Sequence, residues 1–401
     1  MCDGTREVTI KTIHGSFKFT LQRYRTSEGS HSFFELTDQL SGGYISLRLQ
    51  EVSSYYSNRM SYEEVEKLIE RLSGRRLLSN QKIYEIVQSK AQDVSQMWKG
   101  EVEASELLQM EALIAVKTDI DLYAEQAEEI LLFEDGIQVK AQSAQRQSQK
   151  RASVEPAQTT STTDSSVVLS DVILLQTGTG QFTYLIAPIN AIGQPLVSLE
   201  ARVRMQIQHT YGNCSEALPI VVISDGARVI RQRVSRLFSP GVVTILDWYH
   251  LCEKLRQLMS MVSLNRDQKR VHLKRMLSDL WHGQVESVLD YLKTQVTSKN
   301  PEKFQELVGY LEKHRHEIID YDRRHKLGKT VGSGRMEKAV NQVFGHRQKH
   351  KGMSWRPQGS RALAILKVME LNGEWQQTWF QTYCILLIQL IAISPYRFAI
   401  A

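Results

Sequence analysis

The sequence predicts an α+β fold in which helices flank a mixed five-stranded sheet. Five apolar runs have the length and composition of buried strands, and turn residues separate the second run from the third. These runs lie at residues 131–139, 166–176, 181–188, 219–224 and 242–247. Helical periodicity fills the gaps before the fourth and fifth runs, at residues 195–210 and 227–237. The predicted order is a three-strand meander, then helix, strand, helix, strand, which is the ribonuclease-H topology.

The N-terminal part predicts a β-hairpin followed by helices. Apolar and polar side chains alternate over residues 7–22 around His14-Gly15, the pattern of two antiparallel strands and a tight turn. Ser61-Tyr62-Glu63-Glu64 has the form of a capping box, and Ser79 opens a second helical pattern. Two short helices joined in this way form either a helix-turn-helix that reads DNA or a plain helical hairpin packed on a neighbour. The arginines at the joint are the candidate phosphate contacts: Arg71, Arg75 and Arg76.

Six segments follow from these patterns. We expect a β-hairpin region at 1–50, a mainly helical DNA-binding region at 51–130, the first part of the core at 131–250, an all-helical insertion at 251–325, the last core helices at 326–379, and an apolar tail at 380–401. Residues 141–165 are rich in Gln, Ser, Thr and Ala, and such a stretch cannot bury enough apolar surface to become ordered. We therefore expect a disordered excursion between the first two core strands.

Composition narrows the class of protein. The 401 residues carry a net charge of +6 with a pI near 9.0, which suits a polyanionic partner. The four cysteines have no paired spacing, so neither a zinc module nor a disulfide framework is expected, and a reducing cytoplasm is favoured. The longest apolar run, at residues 384–393, is too short to cross a bilayer.

Four carboxylates occupy positions that favour phosphoryl-transfer chemistry. Asp225 and Asp247 each follow an apolar run directly, Asp135 lies in the first run, and Glu337 lies on a late predicted helix. Carboxylates that converge at strand ends can share divalent cations, which clamp the attacking and leaving oxygens of an in-line displacement. Each residue also has an ordinary interpretation. These are a hairpin turn for Asp135-Gly136, helix caps for Asp225 and Asp247, and a solvated surface position for Glu337.

A basic stretch at residues 345–356 combines cations with an aromatic residue. Such a stretch can neutralise phosphates and stack on a base, although a solvated basic helix end has the same composition. The candidate DNA contacts in this part of the chain are Arg335, Arg347, Lys349, Lys351 and Trp355.

Five motifs together resemble a known family. They are Asp-Gly-Ala-Arg-Val-Ile at 225–230, Ile-Leu-Asp-Trp-Tyr-His-Leu at 245–251, Gly-Ser-Gly-Arg-Met-Glu at 332–337, Lys-Gly-Met-Ser-Trp at 351–355 and Leu-Asn-Gly-Glu-Trp at 371–375. The chain thereby resembles the Kra-type insertion-sequence transposases, which are common in cyanobacteria and belong to the DDE transposases related to Mutator-like elements. The resemblance runs from about residue 7 to residue 379 and is specific from Asp225 to Trp355.

This resemblance implies a catalytic set of Asp135, Asp225 and Glu337 that binds Mg²⁺ or Mn²⁺. Asp247 and His250 match an Asp-x-x-His motif that the wider group uses in the active site or in DNA handling. The implied partner is double-stranded DNA, both the terminal inverted repeats and the target. The implied setting is the nucleoid of a prokaryotic cell, with a homo-oligomer on DNA and no membrane.

Two departures from the family's pattern bear on function. Relatives often carry paired cysteines near positions 25–30, where this chain has none, and the tail after Trp379 does not match the family's ending. The sequence thus leaves three functions open. They are an active transposase, a catalytically decayed DNA-binding relict of a mobile element, and a structure-specific nuclease without transfer activity.

Overall fold

The computed structural model describes residues 2–27, 29–32, 44–106, 113–125, 128–142, 167–212, 216–349 and 352–380. Most of the predicted excursion at 141–165 and nearly all of the predicted tail at 380–401 lie outside these described residues, as does Lys351. Within the described ranges, no helix combines the length and the apolar character that crossing a membrane requires.

A mixed five-stranded sheet lies at the centre, as the sequence predicts. Its strands are β4 (Ile130–Lys140), β5 (Val167–Gln176), β6 (Phe182–Leu185), β7 (Ile220–Ser224) and β8 (Val243–Leu246). The spatial order is β6-β5-β4-β7-β8. The first three strands form an antiparallel meander, whereas β7 and β8 run parallel to β4. The predicted number of strands, their succession along the chain and the mixed character of the sheet are confirmed.

The sheet lies between two hydrophobic clusters. Successive residues of β4 face opposite sides of the sheet and so belong to the two clusters in turn. Leu132 belongs to the smaller cluster, which helices α4 (Leu199–Tyr211) and α5 (Arg228–Leu237) cover. Phe133 and Ile137 belong to the larger cluster on the opposite face. The helices after β8 and the N-terminal helices pack into this larger cluster.

The N-terminal part begins with a small antiparallel sheet. It consists of β1 (Cys2–Thr12), β2 (Gly15–Thr26) and β3 (Gly29–Ser32). Thr12 pairs with Gly15, so Ile13-His14 forms the two-residue loop of the predicted hairpin. Gly15 has a positive φ of 128°, a backbone conformation that other residues rarely adopt.

Three helices follow this sheet: α1 (Leu47–Ser57), α2 (Tyr62–Ser73) and α3 (Asn80–Glu106). The predicted capping box is present, since the Ser61 side chain accepts from the Glu64 amide and Glu64 accepts from the Ser61 amide. The expectation of a second short helix is wrong, because α3 is 27 residues long. Its buried face, which includes Val87, Val94 and Trp98, belongs to the same cluster as the sheet. The pair is therefore integrated into the core, as the plain-hairpin alternative requires.

The predicted helical insertion consists of five helices. They are α6 (Trp248–Val262), α7 (Arg266–Trp281), α8 (Val285–Gln295), α9 (Pro301–Lys313) and α10 (Tyr321–Lys326). The last core helices are α11 (Gly334–Val340), α12 (His346–Gln348) and α13 (Pro357–Leu371). A π-helical turn, Asn341–Gly345, joins α11 to α12. Such turns occur frequently at functional sites.

The insertion is fixed to the loop after β7. His314, which follows α9, is almost completely buried, and its Nδ1 lies 2.7 Å from Arg231 Nη2 and 2.6 Å from Glu317 Oε2. Gly226 in the loop has a φ of +78°, and a Cβ there would lie 2.2 Å from the His314 ring. Only glycine therefore allows this approach of the loop to the insertion.

We predict that Gly226→Ala lowers the free energy of unfolding by about 2 to 5 kcal/mol, because a strained backbone and an overpacked contact each cost about 1 to 3 kcal/mol. Gly100→Ala is the matched control. Gly100 lies in α3 with open space around it, so alanine there should stabilise by up to about 1 kcal/mol. Denaturant titrations measure both changes, and equal stabilities for the two variants would contradict the packing of His314 on Gly226.

Candidate active site

Asp225 marks the point where the chain leaves the sheet. All five residues of β7 are buried, and Asp225 follows them half-buried, on the same face as Ile223. Its Oδ1 accepts a hydrogen bond from the Ala227 amide at 2.8 Å. The N-cap residue of helix α5 is Ala227, so Asp225 is not itself the N-cap, but its carboxylate satisfies the amide of that residue, as the capping alternative expects.

Asp135 lies within β4, where it pairs with Val172 of β5. Asp135 thus lies within the strand that the sequence predicts, and the alternative of a hairpin turn at Asp135-Gly136 is wrong. On its other side, β4 pairs with β7 in parallel up to Phe133 and Ile223. Two residues further along this register, Asp135 comes level with Asp225. The two aspartates are neighbours across adjacent strands, although only Asp225 follows a strand end.

Glu337 lies on the exposed side of α11, which covers the sheet face that carries Asp135. Burial is the largest cause that raises the pKa of Asp135 above its ordinary value, and the negative charges of Asp225 and Glu337 raise it further. The Gly136 amide and His250 act in the opposite direction. The structure therefore brings Asp225 and Glu337 each within electrostatic range of Asp135.

Glu134, the sequence neighbour of Asp135, has a different role. As strand alternation predicts, it faces the opposite side of the sheet, where it forms a buried ion pair with Arg233 of α5. Arg233 also contacts Asp171 at 2.9 Å. This network attaches α5 to β4 and β5, so Glu134 is structural.

Asp247 is completely buried at the junction of β8 and α6. It caps α6 by accepting from the His250 amide at 2.8 Å, and it also accepts from the Ser333 amide just before α11. Burial alone would raise the pKa of Asp247, but hydrogen bonds from His250 and Ser333 hold it below its ordinary value. The capping alternative is thus correct but incomplete, because the same carboxylate also positions the helix that carries Glu337.

His250 lies between Asp247 and the candidate catalytic aspartates. Its Nδ1 lies 3.3 Å from Asp247 Oδ1. The bond to Asp247 raises the pKa of His250 to about 9, the charges of Asp225 and Asp135 act in the same direction, and burial opposes them. A histidine with this pKa is protonated at neutral pH.

The donor set of Asp135, Asp225 and Glu337 suits a hard divalent cation, because carboxylate oxygens are the ligands that Mg²⁺ and Mn²⁺ prefer. Within the described part of the chain, none of the three forms an ion pair with a lysine or arginine. Their ligand atoms do not all lie within 4.8 Å of one another. Among the described residues, that condition is met by a different group on the insertion: His282, Asp320 and Asp322. Asp322 there already accepts from Trp281 and Lys326.

The candidate DNA contacts fall into two groups. Arg71, Arg75, Arg76, Arg335 and Lys349 are exposed. Two of these five already have partners, since Arg76 pairs with Glu66 and Arg335 donates to Gln176. The exposed side chains remain candidates for phosphate contact.

Arg347 and Trp355 are both buried, which corrects the prediction that they contact DNA. They are 6% and 8% exposed, respectively. Arg347 donates to the Ser57 carbonyl at 2.8 Å, and the Trp355 indole donates to the Gln348 carbonyl at 3.0 Å. Arg347 also lies over the Trp355 ring. Arg347 joins α12 to α1, and Trp355 packs on Arg347 and bonds to α12.

Sequence patterns missed the residues of the insertion that border Asp225. Tyr310, Lys313 and His314 lie at the end of α9 and line a cleft that also contains Asp225 and His250. The sequence around these three residues has the composition of an ordinary cationic helix end, so it does not identify them as site residues. Only the packing of α9 against α6 places them beside Asp225.

An uncharacterised protein family (UPF0236) matches residues 202–380, a range that contains Asp225, Asp247, His250 and Glu337 but not Asp135. None of the curated proteins matches the chain. The family match therefore covers most of the candidate site without assigning a reaction to it.

The His250–Asp247 pair predicts a pH dependence of stability. Because the folded pKa of His250 is raised above 6.5, its stabilising contribution is complete below that pH and is lost as the pH rises through about 9. Chemical denaturation of chelator-treated protein between pH 6 and pH 10 should show this loss, and His250→Gln should remove it. His346→Gln, at an exposed position, is the control. An unchanged pH profile in His250→Gln would contradict the pairing.

Proposed function

We propose that the protein is a DNA transposase of an insertion sequence, with a ribonuclease-H-like catalytic core. It binds the ends of its element and catalyses metal-dependent strand cleavage and strand transfer. One observation carries the proposal. Asp135 and Asp225 come level along the parallel register of β4 and β7, and the charges of Asp225 and of Glu337, which lies 202 positions further along the chain, both act on Asp135. The order of the five strands supports the assignment of the core.

Asp135, Asp225 and Glu337 are the residues that would hold Mg²⁺ or Mn²⁺. When bound, such a cation polarises a phosphoryl oxygen and stabilises the charge that develops on it. His250, protonated at neutral pH, places a positive charge beside the carboxylates, where a DNA phosphate would approach. Asp247 orients His250 and the start of α11, so its role is to position the residues around it.

The charge distribution supports a nucleic-acid partner. The net charge is +6, and exposed arginines lie at the joint of α2 and α3. Phosphate contacts from such residues provide affinity without sequence specificity, whereas reading a base requires an element that enters a groove. We propose that the exposed end of α3 near Asn80 and Gln81 contacts the terminal repeats. The buried remainder of α3 anchors this end to the core.

We predict that Asp225→Asn lowers metal-dependent DNA cleavage at least about a hundredfold, because it removes a charged ligand that is worth several kcal/mol of transition-state stabilisation. The substrate is duplex DNA that carries the sequences flanking the gene, with Mg²⁺ or Mn²⁺ added. Strand breaks are measured on denaturing gels, and circular dichroism verifies that the variant is folded.

Asp322→Asn provides the matched control, because Asp322 belongs to the other group of candidate metal ligands. It should retain cleavage. Loss of cleavage in Asp322→Asn with normal cleavage in Asp225→Asn would place the metal on the insertion and refute the proposed site. A full-length protein that binds the flanking DNA but never cleaves it would favour the decayed relict.

We predict that Arg71→Ala combined with Arg75→Ala weakens DNA binding by the full-length chain. Each lost phosphate contact should reduce the slope of log affinity against log salt by about 0.9. Fluorescence anisotropy at several salt concentrations measures this slope. Lys67→Ala, on the same helix but paired with Glu63, is the control. A double variant with an unchanged slope would exclude this joint from the DNA interface.

A further inference from the structure

A cleft of about 370 Å³ opens beside Asp225, between the end of β7, helix α6 and helix α9 of the insertion. Among the residues that line the cleft are Asp225, His250, Lys254, Tyr310, Lys313 and His314. Binding sites for small ligands commonly enclose about 300 to 1,000 Å³. The cleft therefore has room for about one nucleotide unit and is too small for a duplex.

The insertion side of the cleft is held in place by buried contacts. His314, at the end of α9, is 1% exposed and bonds to Arg231 of α5 and to Glu317. Arg231 also bonds to Glu317 at 2.7 Å. These contacts connect the insertion to α5, directly after the loop that carries Asp225. Residues Tyr310 and Lys313, within one turn of His314, therefore have a fixed position relative to Asp225.

The side chains that line the cleft match the chemistry of a nucleotide. Lys254 lies on α6 and Lys313 lies on α9, so each of these two helices contributes a lysine to the lining of the cleft. Lys254 pairs with Glu306 at 2.9 Å, whereas Lys313 has no ion pair among the described residues. Tyr310 is partly exposed, and its ring lies 4.7 Å from the His314 ring. Lysines neutralise phosphates, and tyrosine rings stack on bases.

We infer that this cleft holds one nucleotide of the DNA strand, next to the phosphate at Asp225, with a phosphate near Lys313 and the base against Tyr310. The inference rests on the proposed function. It assigns to the insertion the task of positioning the strand at the catalytic carboxylates. Lys313 and Tyr310 are then positioning residues, since they would contact the strand without contacting the reacting atoms.

The test uses the full-length chain and a fluorescein-labelled duplex with a single-stranded overhang of mixed sequence. Lys313→Ala should weaken binding about five- to tenfold at low salt and reduce the salt slope by about 0.7 to 0.9, the effect of one phosphate contact. Tyr310→Ala should weaken binding at least about fivefold with an unchanged slope, because stacking involves no counterion release. Lys313→Arg should restore the slope.

Lys303→Ala is the matched control. Lys303 lies on the same helix and pairs with Glu306, but it does not line the cleft, so affinity and slope should not change. If Lys313→Ala behaves like Lys303→Ala, the cleft does not hold DNA. Metal-dependent cleavage lost in Asp225→Asn would still support the proposed function in that case. If the unmodified chain binds no DNA, both proposals are overturned.

Discussion

The arrangement of the candidate site depends on the burial of one carboxylate, that of Asp247. A buried charge is costly unless it is hydrogen-bonded, and this carboxylate is satisfied by the amides of His250 and Ser333. The Asp247 amide in turn donates to the Ser224 carbonyl at the end of β7. One residue thus joins the strand that precedes Asp225, the helix that carries His250 and the start of the helix that carries Glu337. A change at Asp247 would therefore disturb the candidate catalytic residues without removing any of them.

Much of the fold was predictable because the signals for it are local. Strands β4 to β8 and helices α4 and α5 produce apolar runs or helical periodicity that a sequence displays directly. The tight turn at His14 and the capping box at Ser61 depend on residues within a few positions, and both predictions are confirmed. The spatial order β6-β5-β4-β7-β8, in contrast, comes from the structure, because it depends on which distant segments pair.

What the sequence did not reveal depends on contacts between distant segments. The sequence places Asp135 in a strand, but its position beside Asp225 depends on the pairing of β4 with β7, which no feature near Asp135 indicates. Arg347 and Trp355 have the composition of a nucleic-acid contact, yet tertiary contacts bury them, for Arg347 with α1 and for Trp355 with Arg347 and Gln348. The contact between Arg231 and His314 joins residues 83 positions apart, so it cannot be predicted from local spacing.

The adjacent residues Glu134 and Asp135 show how the two faces of the sheet differ. Glu134 is neutralised by Arg233, and that pair attaches a helix to the sheet. Asp135 instead faces the charges of Asp225 and Glu337, and its raised pKa reflects burial and this repulsion. A cluster of like charges contributes nothing to folding by itself, whereas a divalent cation would convert the repulsion into attraction. Pairing Asp135 with an arginine, as in Glu134, would stabilise the sheet and occupy the oxygens that a cation needs. Among the described residues, Asp135 has no lysine or arginine partner, and this is the arrangement that the proposed cation site requires.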